Sequence, residues 1–480
     1  MDQTARRAHE AYLASAARTP GERAAWLTAL AEALRSNADA LVGLAVAETN
    51  LTEARLRGEL RRTAFQLDLF AEELRSGVVL EATIDHADPD WGMGPRPDIR
   101  RVNVPLGVIG VFGASNFPFA FSVIGGDSAS ALAAGCAVLH KIHPGHENLA
   151  RRTADIVIAA LERAGAPKGL FAVIEGREAA VAMVEHPLVK AIGFTGSTAG
   201  GRALYDIATS RPEPIPFYGE LGSINPVFVL PQAWRRRSAE ILNGYAESFT
   251  LGMGQFCTKP GVLFVPNDSD DEAIRAGLAD TLADVQPGKL LTPALRDSYA
   301  SALAAVAGVR GVQVLLPGSD EDAPAPTVLA VKSGQVVRTP EVLHREIFGP
   351  ATLLVRYQSA AELPVLAELM GGQLTATIHG DDDDDTAALV NTLTGKAGRV
   401  LFNGWPTGVT VSYAQHHGGP YPATTAASAT SVGTGSIGRF MRPVAYQDLP
   451  DPALPPSLQE ANPWGIARRV NGRFQSNGRR

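Results

Sequence analysis

One of the two cysteines in this 480-residue chain lies in a turn rich in glycine and proline, GQFCTKPG at residues 254–261. A thiol in such a turn can be exposed and directed at a ligand, whereas a cysteine that serves packing is more often found inside a helix or strand. The reactive form is the thiolate, and the pKa of a free cysteine is about 8.5. A nucleophilic role for Cys257 therefore requires nearby groups that promote its ionisation. Lys259, two residues later, either lowers the pKa of the thiol or points to solvent.

Three further side chains are of the types that assist a nucleophile. Asn116 follows an apolar run in FGASNFPF, residues 112–119, and its amide N–H could donate to an oxyanion or could merely cap a turn. Glu220 in YGELGS and Glu346 in EIFGP lie among glycine and apolar residues. A carboxyl group in an apolar turn can act as a general base with a raised pKa, and it can equally be a capping or salt-bridged group.

A second set of residues could hold a phosphorylated ligand. Lys141 ends the strand-like run CAVLHK, and GFTGSTAGG at residues 193–201 combines a strand end, a glycine turn and a helix start. The free N–H groups and the dipole of a helix N-terminus suit a pyrophosphate. Alternatively, Lys141 is a surface lysine and the turn is one of many Gly-Ser turns, since it lacks the GxGxxG spacing of an ordinary dinucleotide fold.

These candidates lie where predicted strands and helices meet. Apolar runs predict four strands, separated by helical patterns, at residues 107–112, 136–141, 170–174 and 189–194. This alternation predicts a parallel sheet covered by helices on both faces. Proteins of that kind bind ligands at the carboxyl ends of their strands. A second alternating segment runs from about residue 231 to about residue 414.

Composition excludes several classes of function. Hydrophobic residues make up 45% of the chain, and 43 basic against 50 acidic residues give a formal charge of −7, so nothing favours nucleic acid as a partner. The longest apolar stretch, residues 108–124, is interrupted by glycine, asparagine and proline, which argues against a membrane span. Two cysteines without a CxxC spacing predict neither a metal site nor a disulfide framework, and they indicate a reducing, cytoplasmic location.

The motifs around Asn116, Lys141, Ser197, Glu220, Cys257 and Glu346 occur together and in this order, and they resemble the aldehyde dehydrogenase superfamily over nearly the whole chain. The resemblance implies an α/β fold with a Rossmann-type cofactor domain, an α/β catalytic domain and a small β oligomerisation arm. It assigns residues 1–80 and 105–230 to the first, 231–430 to the second, and 81–104 with 431–480 to the arm and tail. A homodimer or homotetramer joined through the arm is expected.

The same resemblance implies roles for individual residues. Cys257 attacks the aldehyde, its oxyanion is held by Asn116 and by the Cys257 backbone N–H, and Glu220 activates water to hydrolyse the thioester and helps to deprotonate the thiol. Glu346 would bind the nicotinamide ribose, and Lys141 the adenosine ribose. The complete set of implied cofactor contacts is Ser115, Lys141, His143, Arg177, Thr195, Gly196, Ser197, Leu221, Glu346 and Phe348.

The choice of cofactor depends on the strand ends near Lys141. NAD-specific relatives usually carry a carboxylate three residues after this lysine, where the present chain has Pro144. Arg177, together with Lys141 and His143, could instead bind the 2′-phosphate of NADP, and the alternative is that Arg177 is an ordinary surface arginine. NADP is therefore the expected cofactor, with NAD possible.

Four segments are similar to a branch of the superfamily that oxidises 2-oxoglutarate semialdehyde (2,5-dioxopentanoate) with NADP: residues 112–126, 211–216, 254–261 and 402–409. The expected reaction converts this aldehyde into 2-oxoglutarate. The alternatives are a dehydrogenase of general aliphatic or aromatic aldehydes, a CoA-acylating dehydrogenase, and a non-catalytic homologue. Retention of Glu220 favours water as the acyl acceptor, and retention of Cys257 argues against a structural role. No cation for the distant carboxylate of the substrate can be located from the sequence.

Overall fold

A computed structural model describes residues 1–267, 271–285, 288–318 and 323–475. The helices are α1 (Asp2–Ser15), α2 (Pro20–Ser36), α3 (Ala38–Thr49), α4 (Glu53–Ser76), α5 (Gly126–Ala134), α6 (Glu147–Arg163), α7 (Arg177–Glu185), α8 (Thr198–Thr209), α9 (Pro231–Thr250), α10 (Asp271–Ala283), α11 (Pro293–Ala307), α12 (Ser333–Arg338), α13 (Glu362–Glu368) and α14 (Ala387–Thr394). The strands are β1 (Thr83–Asp85), β2 (Ile99–Pro105), β3 (Val108–Phe112), β4 (Ala137–Lys141), β5 (Phe171–Ile174), β6 (Val189–Thr195), β7 (Phe217–Glu220), β8 (Val227–Val229), β9 (Val262–Pro266), β10 (Gln313–Leu316), β11 (Thr327–Lys332), β12 (Ala351–Tyr357), β13 (Gln373–His379), β14 (Ala397–Phe402), β15 (Met441–Gln447), β16 (Arg468–Val470) and β17 (Arg473–Gln475).

The first sheet has the order β5-β4-β3-β6-β7, and all its neighbouring pairs are parallel. This is the arrangement of the first five strands of a Rossmann sheet, in which strand order reverses between β3 and β6. The central strand β3 is buried along its whole length. The carboxyl ends of β3 and β6 thus form the switch point where such sheets bind nucleotides.

The alternation predicted from the sequence is confirmed in this half of the chain. Each of the four predicted strands, now β3 to β6, begins and ends within one residue of its expected position. Cys136 lies immediately before β4, is completely buried, and its Sγ donates to the Phe440 carbonyl at 3.3 Å, so it is a core residue as expected.

The second sheet has seven strands in the order β10-β11-β12-β9-β8-β13-β14. Its strands run parallel except for β10, which pairs antiparallel with β11. Strand β8 at residues 227–229 belongs to this sheet, although the sequence analysis placed residues up to 230 with the cofactor domain. The chain therefore passes from the first sheet to the second directly after β7.

The third sheet is small and combines two distant parts of the chain in the order β15-β2-β1-β16-β17. Strand β2 pairs antiparallel with β15 over seven residues of each strand. Residues 434–440, which the sequence analysis assigned to the arm and tail, contribute buried Ile437 and Phe440 to the core around the first sheet instead. The last five residues of the predicted tail, 476–480, lie outside the described residues.

Within the described ranges, no helix is both long enough and apolar enough to cross a bilayer.

Candidate active site

The loop after β3 brings the predicted amide to the predicted nucleophile. Asn116 is 8% exposed, and its Nδ2 donates to the backbone carbonyl of Gln255 at 2.9 Å, two residues before Cys257. The backbone carbonyl of Asn116 accepts a 2.6 Å hydrogen bond from Arg55. The Arg55 guanidinium lies between the rings of Phe117 and Phe256, 5.0 and 4.7 Å from their centroids. One N–H of the Asn116 amide is thereby used to fix its orientation, and an amide carries a second for an oxyanion.

A buried asparagine shapes the turn that carries the nucleophile. Asn225 has a positive φ of 55°, and its Nδ2 donates to the carbonyls of Cys257 at 2.8 Å and Lys259 at 3.0 Å. These bonds fold the residues around Cys257 back over the start of β8. The Cys257 side chain lines a cavity of about 690 Å³ whose walls include Phe117, Phe121, Phe256 and residues 407–411.

Cys257, Glu220 and a histidine that was not predicted form a compact cluster. Nε2 of His417 lies 3.6 Å from Cys257 Sγ and 3.0 Å from Glu220 Oε1. The second oxygen of Glu220 accepts a 2.6 Å bond from Ser431. The side chains of Glu220 and His417 are 3% and 0% exposed, whereas Cys257 is partly exposed and lines the cavity. The three potential ligand atoms lie within 4.8 Å of one another, which would also allow a metal ion, and this is the one such cluster among the described residues.

The protonation states in the cluster follow from its contacts. Burial, followed by the negative charge and hydrogen bonding of Glu220, raises the pKa of the Cys257 thiol well above its ordinary value. Burial alone would also raise the pKa of Glu220, but His417, Ser431 and Cys257 together outweigh it and hold that pKa below its usual range. Of the two alternatives drawn from the sequence for Glu220, the lowered pKa and the contact with His417 agree with a paired carboxylate rather than with a base of raised pKa. At neutral pH the proton resides on sulfur and the carboxylate is free to accept it.

The tautomer of His417 follows from the same contacts. An ionised carboxylate only accepts hydrogen bonds, so Nε2 must carry the proton that it shares with Glu220. Nδ1 of His417 is buried, and no group in the described part of the chain forms a hydrogen bond with it. Since Nε2 also faces Sγ, the same N–H can donate to sulfur once the thiol ionises. His417 can therefore donate to either anion, and Glu220 is the group in this cluster that can accept the thiol proton.

Glu220 is held by two parts of the chain. It ends β7, the edge strand of the first sheet, and an antiparallel bridge joins it to Thr424. Backbone hydrogen bonds of 2.8 and 3.0 Å between residues 219–221 and 423–425 flank the bridge. The segment that closes this sheet edge is also the one that supplies His417 and Ser431.

Lys259 does not point to solvent, so that alternative drawn from the sequence is wrong. It is 2% exposed, and its Nζ donates to the carbonyls of Ile347 at 2.6 Å and Ala351 at 2.7 Å. Burial raises the pKa of Glu346, and the nearby Lys259 charge opposes that rise. Lys259 thus fastens the EIFGP loop to the turn that carries Cys257.

The loop after β6 forms the predicted helix N-terminus. Ser197 caps α8, since its Oγ accepts from the Gly200 N–H at 3.2 Å. Thr195 is the last residue of β6, and the Gly196 N–H donates to the Glu220 carbonyl at 3.1 Å. Glu346 lies across from this helix start. Its carboxylate is so close to Gly222 that a Cβ added to that glycine would come within 2.6 Å of it. The loop therefore lies beside the catalytic cluster.

Several other predicted cofactor residues surround the same edge of the sheet. Ser115 follows β3 and lies beside Asn116, Leu221 follows β7 and is 3% exposed, and Phe348 lies in the EIFGP loop, partly exposed. Ser115 and Leu221 lie at carboxyl ends of strands of the first sheet, where loops can approach a nucleotide with backbone groups, whereas Phe348 precedes β12 of the second sheet.

The residues proposed for the 2′-phosphate lie at the ends of adjacent strands. Lys141 ends β4 and is paired in register with Ile174 at the end of β5, and exposed Arg177 begins α7 three residues later. His143 uses Nδ1 to accept from the Gly145 N–H at 3.0 Å, and burial lowers the pKa of its imidazole to about 3. His143 is consequently neutral at physiological pH and brings no positive charge to this position.

His417, Ser431 and Asn225 were missed by the sequence analysis. The sequence did contain a signal for His417, because QHHGGP at residues 415–420 places two histidines in a turn of glycine and proline. The same criterion singled out Cys257. Asn225 and Ser431 carry no comparable local signal. Their roles depend on partners 32 and 211 residues away.

The fold and this cluster define a thiol-dependent oxidoreductase with a nucleotide-binding sheet, and comparison with known proteins agrees. The sequence profile of the aldehyde dehydrogenase family matches residues 1–421, and the chain belongs to that family. It is 44% identical over 474 residues to alpha-ketoglutaric semialdehyde dehydrogenase 2 of Azospirillum brasilense, covering 98% of this chain and 90% of that protein. It is 41% identical to alpha-ketoglutaric semialdehyde dehydrogenase of Acinetobacter baylyi, covering 99% and 92%.

Solved structures share the fold. Gamma-glutamyl-gamma-aminobutyraldehyde dehydrogenase from Burkholderia cenocepacia superposes with a TM-score of 0.78 at 21% identity, covering 92% of this chain and 87% of that one. An NAD-dependent aldehyde dehydrogenase from Sinorhizobium meliloti gives a TM-score of 0.77 at 22% identity, with 94% and 88% covered. The protein is an NAD(P)-dependent enzyme that oxidises an aldehyde to the carboxylic acid.

Proposed function

We propose that the enzyme oxidises 2,5-dioxopentanoate to 2-oxoglutarate and prefers NADP. The observation that carries this proposal is 44% and 41% identity over nearly the whole chain to two enzymes named for that aldehyde. Cys257 attacks the aldehyde carbon as its proton passes to Glu220, and the resulting oxyanion is met by the Asn116 amide and by the Cys257 backbone N–H. NADP, when bound, supplies the hydride acceptor.

The second half of the proposed reaction needs water activated at the thioester. Glu220 returns its proton to solvent and then, as a carboxylate, accepts a proton from the attacking water, while His417 and Ser431 keep it oriented. The bond that breaks is the carbon–sulfur bond, and Cys257 leaves as a thiolate opposite the His417 N–H. Water as the acyl acceptor distinguishes this reaction from a CoA-acylating one.

The proposed function is tested by measuring NADPH formation with 2,5-dioxopentanoate, pentanal and benzaldehyde, with NAD in parallel. The expected result is a kcat/KM for the dioxo acid at least ten times that for the other aldehydes, and no reduction by a Cys257→Ala blank that still binds cofactor. Equal turnover of the simple aldehydes would make this a general aldehyde dehydrogenase. NADPH formation that requires added CoA and gives an acyl-CoA product would instead favour the acylating reaction.

We expect Arg177→Ala to raise the KM for NADP while leaving that for NAD within about twofold. The physical reason is that a guanidinium at the end of β5 contacts only a nucleotide that carries the 2′-phosphate. The proposed partner is Lys141, since His143 is neutral. Lys168→Ala provides a matched control, because this exposed lysine lies just before the opposite end of β5. An unchanged KM for NADP would show that Arg177 is a surface residue.

Two further proposals concern assembly and location. The third sheet ends in the edge strands β15 and β17, and pairing of an edge across a two-fold axis would join subunits into a homodimer or homotetramer. Both cysteines are free thiols, and a nucleophilic thiol must stay reduced, which supports a cytoplasmic enzyme.

A further inference from the structure

The cavity in front of Cys257 contains an arginine whose guanidinium is incompletely used. Arg62, on α4, lines this cavity together with Phe121, Val409 and Cys257. Its Nε donates to the Val409 carbonyl at 3.1 Å, and its Cζ lies 5.3 Å from the centre of the Phe121 ring. Both terminal nitrogens are buried and lack a hydrogen-bond partner among the described residues. The guanidinium is therefore fixed along one edge and unsatisfied at its other end.

An unsatisfied buried guanidinium is costly. Arginine remains charged at neutral pH, and a buried charge is normally paired and hydrogen-bonded. Burial lowers the pKa of Arg62, whereas the negative charges of Glu59 and Glu220 oppose that shift. Glu59 is the nearest internal counter-charge in sequence. Its Oε1 accepts from the backbone N–H groups of residues 119 and 120, and its Oε2 makes no hydrogen bond to Arg62 or to any other described residue.

The lining of the cavity indicates which ligand would satisfy this arginine. Among the described residues that line it, the charged ones are Arg61 and Arg62, and none is acidic. The remaining walls are aromatic and aliphatic side chains with threonines. A cavity of this kind suits a short chain that has a reactive carbonyl at one end and an anion at the other.

We propose that the two terminal nitrogens of Arg62 bind the carboxylate of the aldehyde substrate in a bidentate manner while its carbonyl faces Cys257. A planar guanidinium matches a carboxylate through two parallel N–H···O bonds, and the Nε bond to Val409 presents that edge in advance. This assignment rests on the proposed function, and it supplies the cation that could not be located from the sequence. The ligand class is an aldehyde with a terminal carboxylate, of which 2,5-dioxopentanoate is one.

The experiment compares Arg62→Met and Arg62→Lys with the wild type on 2,5-dioxopentanoate and on pentanal, a neutral aldehyde of the same length. Arg62→Met should lower kcat/KM for the dioxo acid roughly ten- to a hundredfold, mainly through KM, and should leave pentanal within about threefold. Arg62→Lys should recover part of the loss. The charge-matched control is Arg57→Met, which removes an exposed, salt-bridged arginine from the same helix. It should leave kcat/KM unchanged for both substrates.

A binding readout that needs no turnover completes the test. Glutarate, a dicarboxylate without an aldehyde, should protect Cys257 of the wild type from iodoacetamide and should fail to protect Cys257 of Arg62→Met. Equal losses for both aldehydes, with a lowered melting temperature, would show that Arg62 only balances Glu59. Unchanged kinetics and unchanged protection would place the carboxylate elsewhere.

Failure of this inference and failure of the proposed function give different results. If the wild type does not favour 2,5-dioxopentanoate over pentanal, the proposed substrate is wrong. Succinate semialdehyde and butanal then serve as the second charged and neutral pair. An Arg62-dependent preference for the charged member would uphold the carboxylate site, and no such preference would overturn it.

Discussion

Glu220→Gln should give an enzyme that forms one equivalent of NAD(P)H per active site and then nearly stops. Glutamine keeps the size of the side chain and can still accept from His417 or Ser431, so the site should remain folded. It cannot accept a proton from water, and loss of a general base typically lowers a rate by about 10²–10⁴-fold. The thioester on Cys257 should therefore accumulate.

Rapid-mixing measurements of NAD(P)H, with mass spectrometry of the intact protein, would test this expectation. The burst itself should also be slower than in the wild type, because the Cys257 thiol has a raised pKa and loses the base that accepts its proton. Added hydroxylamine should release the acyl group and restore turnover, since it attacks without a general base. Steady-state turnover within about threefold of the wild type would show that another group activates water.

His417→Leu should move the acid limb of the pH–rate profile to higher pH and lower kcat at neutral pH. Leucine is of similar size but donates no hydrogen bond, so burial of the Glu220 carboxylate is then opposed only by Ser431 and Cys257. The pKa of Glu220 must then rise, and the ionised base is present only at higher pH than in the wild type. An unsatisfied buried group costs about 1–3 kcal/mol. This cost corresponds to a decrease in kcat at neutral pH of roughly ten- to a hundredfold.

The profile of kcat/KM against pH is the measurement, because it reports the ionisation of the free enzyme. His416→Leu is the matched control, since it removes the adjacent imidazole, which is not placed in the cluster. Ser431→Ala should shift the acid limb in the same direction by a smaller amount. Coincident profiles for His417→Leu and the wild type would mean that His417 does not stabilise the Glu220 carboxylate.

Local sequence signals were enough to predict the elements that carry the site. The apolar runs that became β3 to β6 each end in glycine, polar residues or a capping serine, and parallel strands bring such ends to one edge of a sheet. Asn116, Cys257 and Glu220 could be singled out because a polar side chain in a tight turn is conspicuous. Resemblance to a family then added their roles.

What the sequence analysis missed depends on contacts between distant residues. The orientation of Lys259 follows from carbonyls 88 and 92 residues away, and Glu220 is separated from His417 by 197 residues. Arg62 belongs to a long helical pattern in which an arginine is ordinarily exposed, and only the packing of Phe121 and Val409 gives it a special position. The two alternatives for Glu220 could not be separated from the sequence for the same reason.

The long separation between Glu220 and its partners bears on how the enzyme is made. During synthesis the ribosome releases residues 217–220 and the Cys257 turn well before residues 417–431, so an incomplete chain carries the thiol without the donors that complete its base. The antiparallel bridge between Glu220 and Thr424 can form only when the C-terminal segment returns to the edge of the first sheet. A chain truncated or stalled before residue 417 should thus be inert towards aldehydes, and competence arises only after residues 417–431 have been made.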